Sequence, residues 1–293
     1  EFVNFFVKLA GLPFLQADFS IASRDALPPD DETRVGFEYM DDIWPESAVN
    51  RAVVLIDFDG EDPFLESNIR TVFKWAESLN NSSTVTSVQS YVFNSNLTNV
   101  DNAIQFWTVS DDNLSQAQIA TRDYLRERLV SEDVTRVSFK LSGAITGKDG
   151  RDFVHDVREN RADLLDELQT GNNPKLLAGG FSAYSLDVLD AIIENLPVAM
   201  AFIFISTIIL IYLQVKSIVI PIKAIVMNIL SISASFGMLV FVFQWGNGAE
   251  LLNFTPQPIE TTNPVIMFCI VFGLSMDYEV LMLSRIHEEW ENT

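Results

Sequence analysis

Three apolar runs near the C-terminus constrain this chain more than any other feature. Pro197 to Val215 (PVAMAFIFISTIILIYLQV) carries no charged residue. As a helix it measures about 30 Å, the thickness of a bilayer's hydrocarbon core. Ala224 to Gln244 and Asn263 to Glu289 contain two further runs of that kind. Buried helices of a water-soluble core do not need such lengths without charge, so the sequence predicts spans near 197–215, 224–244 and 264–284. Pro197 suits a first helical turn. Ahead of it, Ser185 to Asn195 is amphipathic, with Leu186, Leu189, Ile192 and Ile193 on one face.

Composition reconciles what looks contradictory. The chain is 48% hydrophobic, yet its formal net charge is -21. From Leu196 to Met276 the charged residues are Lys216, Lys223, Glu250 and Glu260, so nearly all the acid lies earlier. An acidic soluble part precedes an apolar membrane part. Such a balance excludes nucleic acid as a partner, because phosphate binding needs a Lys/Arg surface. The single cysteine, Cys269, forms no internal disulfide and says nothing of the compartment.

Residues 1–15 (EFVNFFVKLAGLPFL) are expected to be the end of a truncated transmembrane helix, or an interfacial helix. A Pro- and Asp-rich turn segment, 22–32, follows, then a short amphipathic helix over 33–43. The soluble region, 16–184, then alternates two periodicities. Strands are expected at 51–58, 85–93, 134–142 and 175–179, and helices at 64–79, 113–130 and 150–169, the last capped by Asp149. The order strand, helix, strand, extra helix, strand, helix, strand suggests an α+β ferredoxin-like (split β-α-β) domain with an insertion. That fold alone implies no activity. Residues 185–293 form the transmembrane region. Asn81, Asn96, Asn113 and Asn253 begin N-x-S/T triplets, which matter only in a glycosylating host.

Enzyme motifs fail on spacing. His287-Glu288-Glu289 lacks the second histidine of a zinc helix, and Gly143 to Asp149 is too short for a phosphate loop. The two histidines, His155 and His287, have no triad context. Asp57 and Asp59 alternate at a strand end, as is common where a strand enters a loop, and are weak candidates for a site.

One residue of the third span is out of place. Asp277 follows about a dozen apolar residues, and an ionisable group at that depth costs several kcal/mol. These spans hold no Lys or Arg that could neutralise it there. A role in proton or ion coupling follows as the functional expectation. On the second span Asn228, Ser231 and Ser235 share a stripe, which either packs helices closely or, with Ser275, lines a polar path to Asp277. Lys216, Lys223 and Arg285 lie on one side of the membrane. The Trp245 to Asn263 linker, with acids only, lies on the other, so by the positive-inside rule the soluble domain is extracytoplasmic.

Phe272 to Glu289 (FGLSMDYEVLMLSRIHEE) resembles the second-half Asp-Tyr helix of MmpL-type transporters in the resistance-nodulation-division (RND) superfamily. Ser217 to Gly237 resembles that family's adjoining loop and helix, and the acidic domain resembles its second porter domain. The resemblance implies that Asp277 and Tyr278 are half of a proton relay, completed by an equivalent pair on a first half. It further implies a bacterial cytoplasmic-membrane exporter of lipids or other hydrophobic molecules, driven by the proton gradient without a cofactor. Its partners would be membrane lipids, the substrate, the missing first half and, as a homo-oligomer, further copies. The family has twelve spans and two porter domains, whereas this chain accounts for one porter domain and three complete spans. Two alternatives share the architecture: a protein-translocation or assembly accessory, and a sterol-sensor-like regulator. The span from Pro197, continuous with Ser185 to Asn195, would act as a lever between proton and substrate sites.

Overall fold

A computed structural model describes residues 11–21, 26–44, 51–142 and 147–291. The chain divides into two units, Met40–Asp187 and Glu1–Tyr39 with Val188–Thr293. The N-terminal segment contributes a 3-10 turn, Leu12–Gln16, strand β1 (Phe19–Ser20) and helix α1 (Glu32–Ile43). Residues 1–10, where most of the expected N-terminal helix falls, lie outside the described residues, and Leu12–Gln16 itself is not α-helical. α1 lies where its periodicity placed it. Asp31 caps it, accepting from the Thr33 amide at 2.9 Å.

The Met40–Asp187 unit is a sheet covered by helices. In chain order its elements are β2 (Arg51–Asp57), α2 (Glu66–Asn80), β3 (Val85–Gln89), α3 (Val100–Thr108), α4 (Gln116–Leu129), β4 (Val130–Ser131), β5 (Val134–Leu141), α5 (Lys148–Glu159), α6 (Arg161–Glu167) and β6 (Lys175–Gly180). The sheet order is β3-β5-β2-β6, each neighbouring pair antiparallel, and β4 pairs with β5. Period-two burial sets the register. Ala52, Val54 and Ile56 of β2 and Val137, Phe139 and Leu141 of β5 are buried. α2 lays Ile69, Val72, Phe73 and Ala76 into the same core. Its buried polar residue is satisfied: Asn68 donates to the carbonyls of Asp62 at 3.1 Å and Gln169 at 2.9 Å, and accepts from the Gln169 amide at 2.8 Å. Tyr91 is fully buried, with its hydroxyl donating to the Pro63 carbonyl at 2.8 Å and its own carbonyl accepting from the Trp107 indole at 3.0 Å.

Several elements differ from the sequence expectation for local reasons. β3 stops at Gln89 rather than 93 because the Ser90 hydroxyl accepts from the Phe93 amide at 2.8 Å and turns the chain. A helix was not expected at α3; Asn99 caps it by accepting from the Asp101 and Asn102 amides. α4 starts at Gln116, not 113, behind a Ser115–Gln118 capping box. The expected single helix 150–169 is α5 and α6, divided at Asn160, whose side chain bonds the Asp156 carbonyl at 2.8 Å. Asp149 sits inside the first turn of α5 instead of capping it. Asp57 and Asp59 build a turn. The Asp57 carboxylate accepts from the Asp59 amide at 3.0 Å, and Asp59 in turn accepts from the Asn173 amide at 2.9 Å.

The other unit is helical. α7 (Phe181–Val215) runs unbroken, so Pro197 lies within a helix rather than at its first turn. The expected start at Pro197 fails because the amphipathic segment before it has the same helical period. α8 (Val219–Leu239) continues through a π-helical turn, Val240–Gln244. After a short helix α9 (Ala249–Leu252) and strand β7 (Ile259–Glu260), α10 spans Thr262–Glu291. The second expected span thus begins five residues earlier than 224. Among the described residues these are three helices long and apolar enough to cross a membrane. β1 and β7 pair in parallel. Gln244 ties them to the π turn, accepting from the Asp18 amide and donating to the Gln16 carbonyl, both at 2.9 Å. Glu260 closes the start of α10, its carboxylate accepting from the Thr262 and Asn263 amides at 3.0 and 2.9 Å.

Candidate functional site

α10 has two unlike faces, and its spacing explains them. Phe268, Phe272 and Met276 recur every four residues and are buried against α8 and the apolar C-terminal part of α7. Phe268 and Phe272 stack at 5.4 Å between centroids, and Phe204 packs on Phe272 at 5.5 Å. A step of three from Phe272 and from Met276 brings Ser275 and Glu279 to the inner face. α8 presents Ala224, Ile225, Asn228, Ile232 and Phe236 in the same manner.

At the crossing of these faces sits a polar cluster. Asn228, 8% exposed, donates from its side-chain nitrogen to a Glu279 carboxylate oxygen at 3.4 Å and accepts from the Ser275 hydroxyl with its oxygen. Gln214 of α7 adds a bond to the Val280 carbonyl at 3.3 Å. Two of the sequence-expected lining residues, Asn228 and Ser275, therefore meet. Ser231 and Ser235 do not join them: both are exposed, and the Ser235 hydroxyl bonds the Ser231 carbonyl at 3.1 Å.

Asp277 and Tyr278 fall on the other face. Both are exposed, Tyr278 at 74%. The sixteenth residue of α10, Asp277 lies about 22 Å along the helix at 1.5 Å per residue. Glu279, which the sequence reading passed over as a neighbour of Asp277, is the acid that this unit folds inward. Its signal was present in the spacing Phe268, Phe272, Ser275, Glu279.

Nearer the start of α10 the same unit encloses an apolar cavity of about 340 Å³. Leu196 and Met200 of α7, Ile232 and Phe236 of α8, and Val265 and Phe268 of α10 are among its walls. Its polar lining residues are Ser233 and Thr261, and the Thr261 hydroxyl is already bonded to the Ser20 carbonyl at 2.9 Å. A cavity so lined suits an acyl chain or another apolar group and offers little to a charged one.

The family model described as "MMPL family" matches residues 25–293. The chain is 39% identical over 132 residues to the trehalose monomycolate exporter MmpL3 of Mycobacterium tuberculosis, covering 43% of this chain and 14% of that protein. It is 34% identical over 124 residues to the mycolic acid-containing lipids exporter MmpL11 of Mycolicibacterium smegmatis, covering 42% and 13%. It is 33% identical over 115 residues to the heme uptake protein MmpL11 of Mycobacterium tuberculosis, covering 39% and 12%. The matched stretches are thus a small part of these relatives' lengths.

Proposed function

The chain belongs to the MMPL family, and we propose that it supplies one porter domain and three spans of a proton-driven exporter of lipids or other hydrophobic molecules. It is read as a transporter subunit and not as an enzyme. Asp277 and Tyr278 carry the proposal. They are polar residues of a long apolar helix, exposed on the face opposite the packed core. That face is available to a partner helix bearing an equivalent pair. A proton moving down the membrane potential gains about 2.3 kcal/mol per 100 mV. Protonating Asp277 removes its charge and its demand for a polar partner, which favours a different helix arrangement.

The apolar cavity supports a hydrophobic substrate, as do relatives whose names record export of trehalose monomycolate and mycolic acid-containing lipids. The sheet order β3-β5-β2-β6 supports reading the sheet unit as a ferredoxin-like split β-α-β porter domain. Lys216 and Lys223, on or beside the α7–α8 connection, together with Arg285 support a cytoplasmic placement of that side of the bundle. The porter domain is then extracytoplasmic. The proposal includes a first half outside this sequence and assembly with further copies. Proteoliposomes of the assembled transporter with a fluorescent lipid test it. Export should require an imposed proton gradient and stop with a protonophore; gradient-independent flux would refute it.

A further inference from the structure

α1 ties down its polar side and exposes its apolar one. Rows of side chains run along it at four-residue spacing. Arg34, Glu38 and Asp42 make a polar row. Val35, Tyr39 and Ile43, then Gly36, Met40 and Trp44, make two apolar rows beside it. The Trp44 amide bonds the Met40 carbonyl at 2.8 Å, which carries the second row one residue past the helix. Arg34 holds the polar row to the α8–α10 connection. Its guanidinium donates to the Thr255 hydroxyl at 2.7 Å and to the Leu27 carbonyl at 3.0 Å. From the connection, the Asn253 amide nitrogen donates to the Asp30 carboxylate at 3.0 Å. The apolar rows are left outside: Tyr39, Met40, Ile43 and Trp44 are all exposed, Tyr39 at 65%.

The tether also sets the level of α1. The α8–α10 connection joins the end of the π turn at Gln244 to the start of α10 at Thr262. With α8 and α10 read as membrane spans, that connection lies at the bilayer surface, and the part of α1 bonded to it lies there too. The connection has the same character. Passing out of α8, Met238, Phe241, Trp245, Leu251 and Leu252 are exposed, Leu251 at 88%. An apolar band therefore continues from the outer surface of a span through α9 to the residue that bonds Asp30. Tyr and Trp are the side chains that favour the headgroup level, because each has an apolar body and a polar tip. Charge narrows the lipid. The polar row sets two carboxylates against one guanidinium, which already bonds Glu38 at 2.9 Å. Anionic headgroups are attracted by clustered Lys and Arg, and α1 has no Lys. Burial of apolar side chains is what a lipid surface offers this helix.

We propose that α1 and α9 lie in the bilayer surface as one interfacial collar, with Tyr39, Met40, Ile43 and Leu251 inserted among neutral lipids. The proposal rests on the reading of the long apolar helices as spans, and the experiment separates the two. Nitroxide labels are placed one at a time by Tyr39→Cys, Leu251→Cys, Glu38→Cys and Ile205→Cys in a Cys269→Ser background. The assembled transporter is reconstituted in phosphatidylcholine vesicles. Collision of each label with oxygen, which partitions into lipid, is compared with collision with a water-soluble nickel chelate by EPR power saturation. Ile205, exposed midway along α7, reports the span. Oxygen should dominate at Ile205, Tyr39 and Leu251, and the nickel chelate at Glu38, so accessibility reverses across a single helix. Raised salt should leave the pattern unchanged, since charge does not hold the helix to lipid. Should Tyr39→Cys fail to fold, Met40→Cys reads the same face. Oxygen dominance at Ile205 with nickel dominance at Tyr39 would overturn the collar and keep the spans. Shielding of Tyr39 from both probes would mean that a protein surface covers α1, and would likewise overturn it. Nickel dominance at Ile205 would overturn both readings.

Discussion

The Asn228 side chain of α8 bridges Ser275 and Glu279 of α10, with its nitrogen 3.4 Å from the Glu279 carboxylate. This fixes the rotation of α10. With Ser275 and Glu279 inward, Asp277 and Tyr278 must turn outward, because residues one and two positions away project about 100° and 200° around a helix. The inner acid is held by an amide of the same bundle. The outer one meets no partner from this bundle among the described residues.

That bridge predicts energetic coupling. Asn228→Leu, Glu279→Leu and the double variant should give a non-additive cycle in nanodisc unfolding. Hydrogen bonds between membrane helices average about 0.6 kcal/mol, with a maximum near 1.7. A coupling in that range is expected; strict additivity would contradict the bridge.

Asn68 anchors α2 through three hydrogen bonds to Asp62 and Gln169 while fully buried. Asn68→Leu leaves those backbone groups unpaired and should destabilise the sheet unit by about 1–3 kcal/mol. Chemical denaturation followed by Trp107 fluorescence measures it. A change within experimental error would show that solvent replaces the lost bonds.

Tyr91 predicts an alkaline dependence. Burial, reinforced by the nearby Asp62 carboxylate, pushes its phenol above the ordinary value. The unfolded phenol titrates near 10. Below that pH both states keep the proton and the contribution to stability is full. Above it the unfolded state releases its proton first, so stability falls as pH rises. Tyr91→Phe should flatten this fall relative to the parent in thermal unfolding between about pH 8 and 11. An identical slope in both proteins would contradict the assignment.

Gly171 is a packing constraint. A Cβ there would stand 2.2 Å from the Asp59 carbonyl oxygen, in the turn that Asp57 and Asn173 help to hold. Gly171→Ala should cost about 1–3 kcal/mol, as overpacking of a rigid site does. Gly36, inside α1 with open space around its Cβ position, provides the control: Gly36→Ala should not destabilise, since alanine is the better helix former.

Much of this was legible in the sequence because period and charge act locally. Apolar runs poor in Lys, Arg, Asp and Glu located the three long apolar helices, and the alternation Val137, Phe139, Leu141 gave β5 and its buried face. What escaped notice depended on side chains closing on the backbone. Ser90 ends β3, Asn99 starts α3 and Asn160 separates α5 from α6, each through one or two hydrogen bonds that periodicity does not encode. At the site, Asp277 drew attention by depth alone. Rotation around α10 distinguishes it from Glu279, and rotation required the Phe268–Phe272–Met276 stripe to be set against Asn228.

The most direct test is lipid export by Asp277→Asn in proteoliposomes of the assembled transporter under an imposed proton gradient. The substitution keeps volume and polarity and removes the titrating proton. The account predicts loss of gradient-driven export with an unfolding temperature like the parent's. Export at the parent's rate by this variant would contradict it.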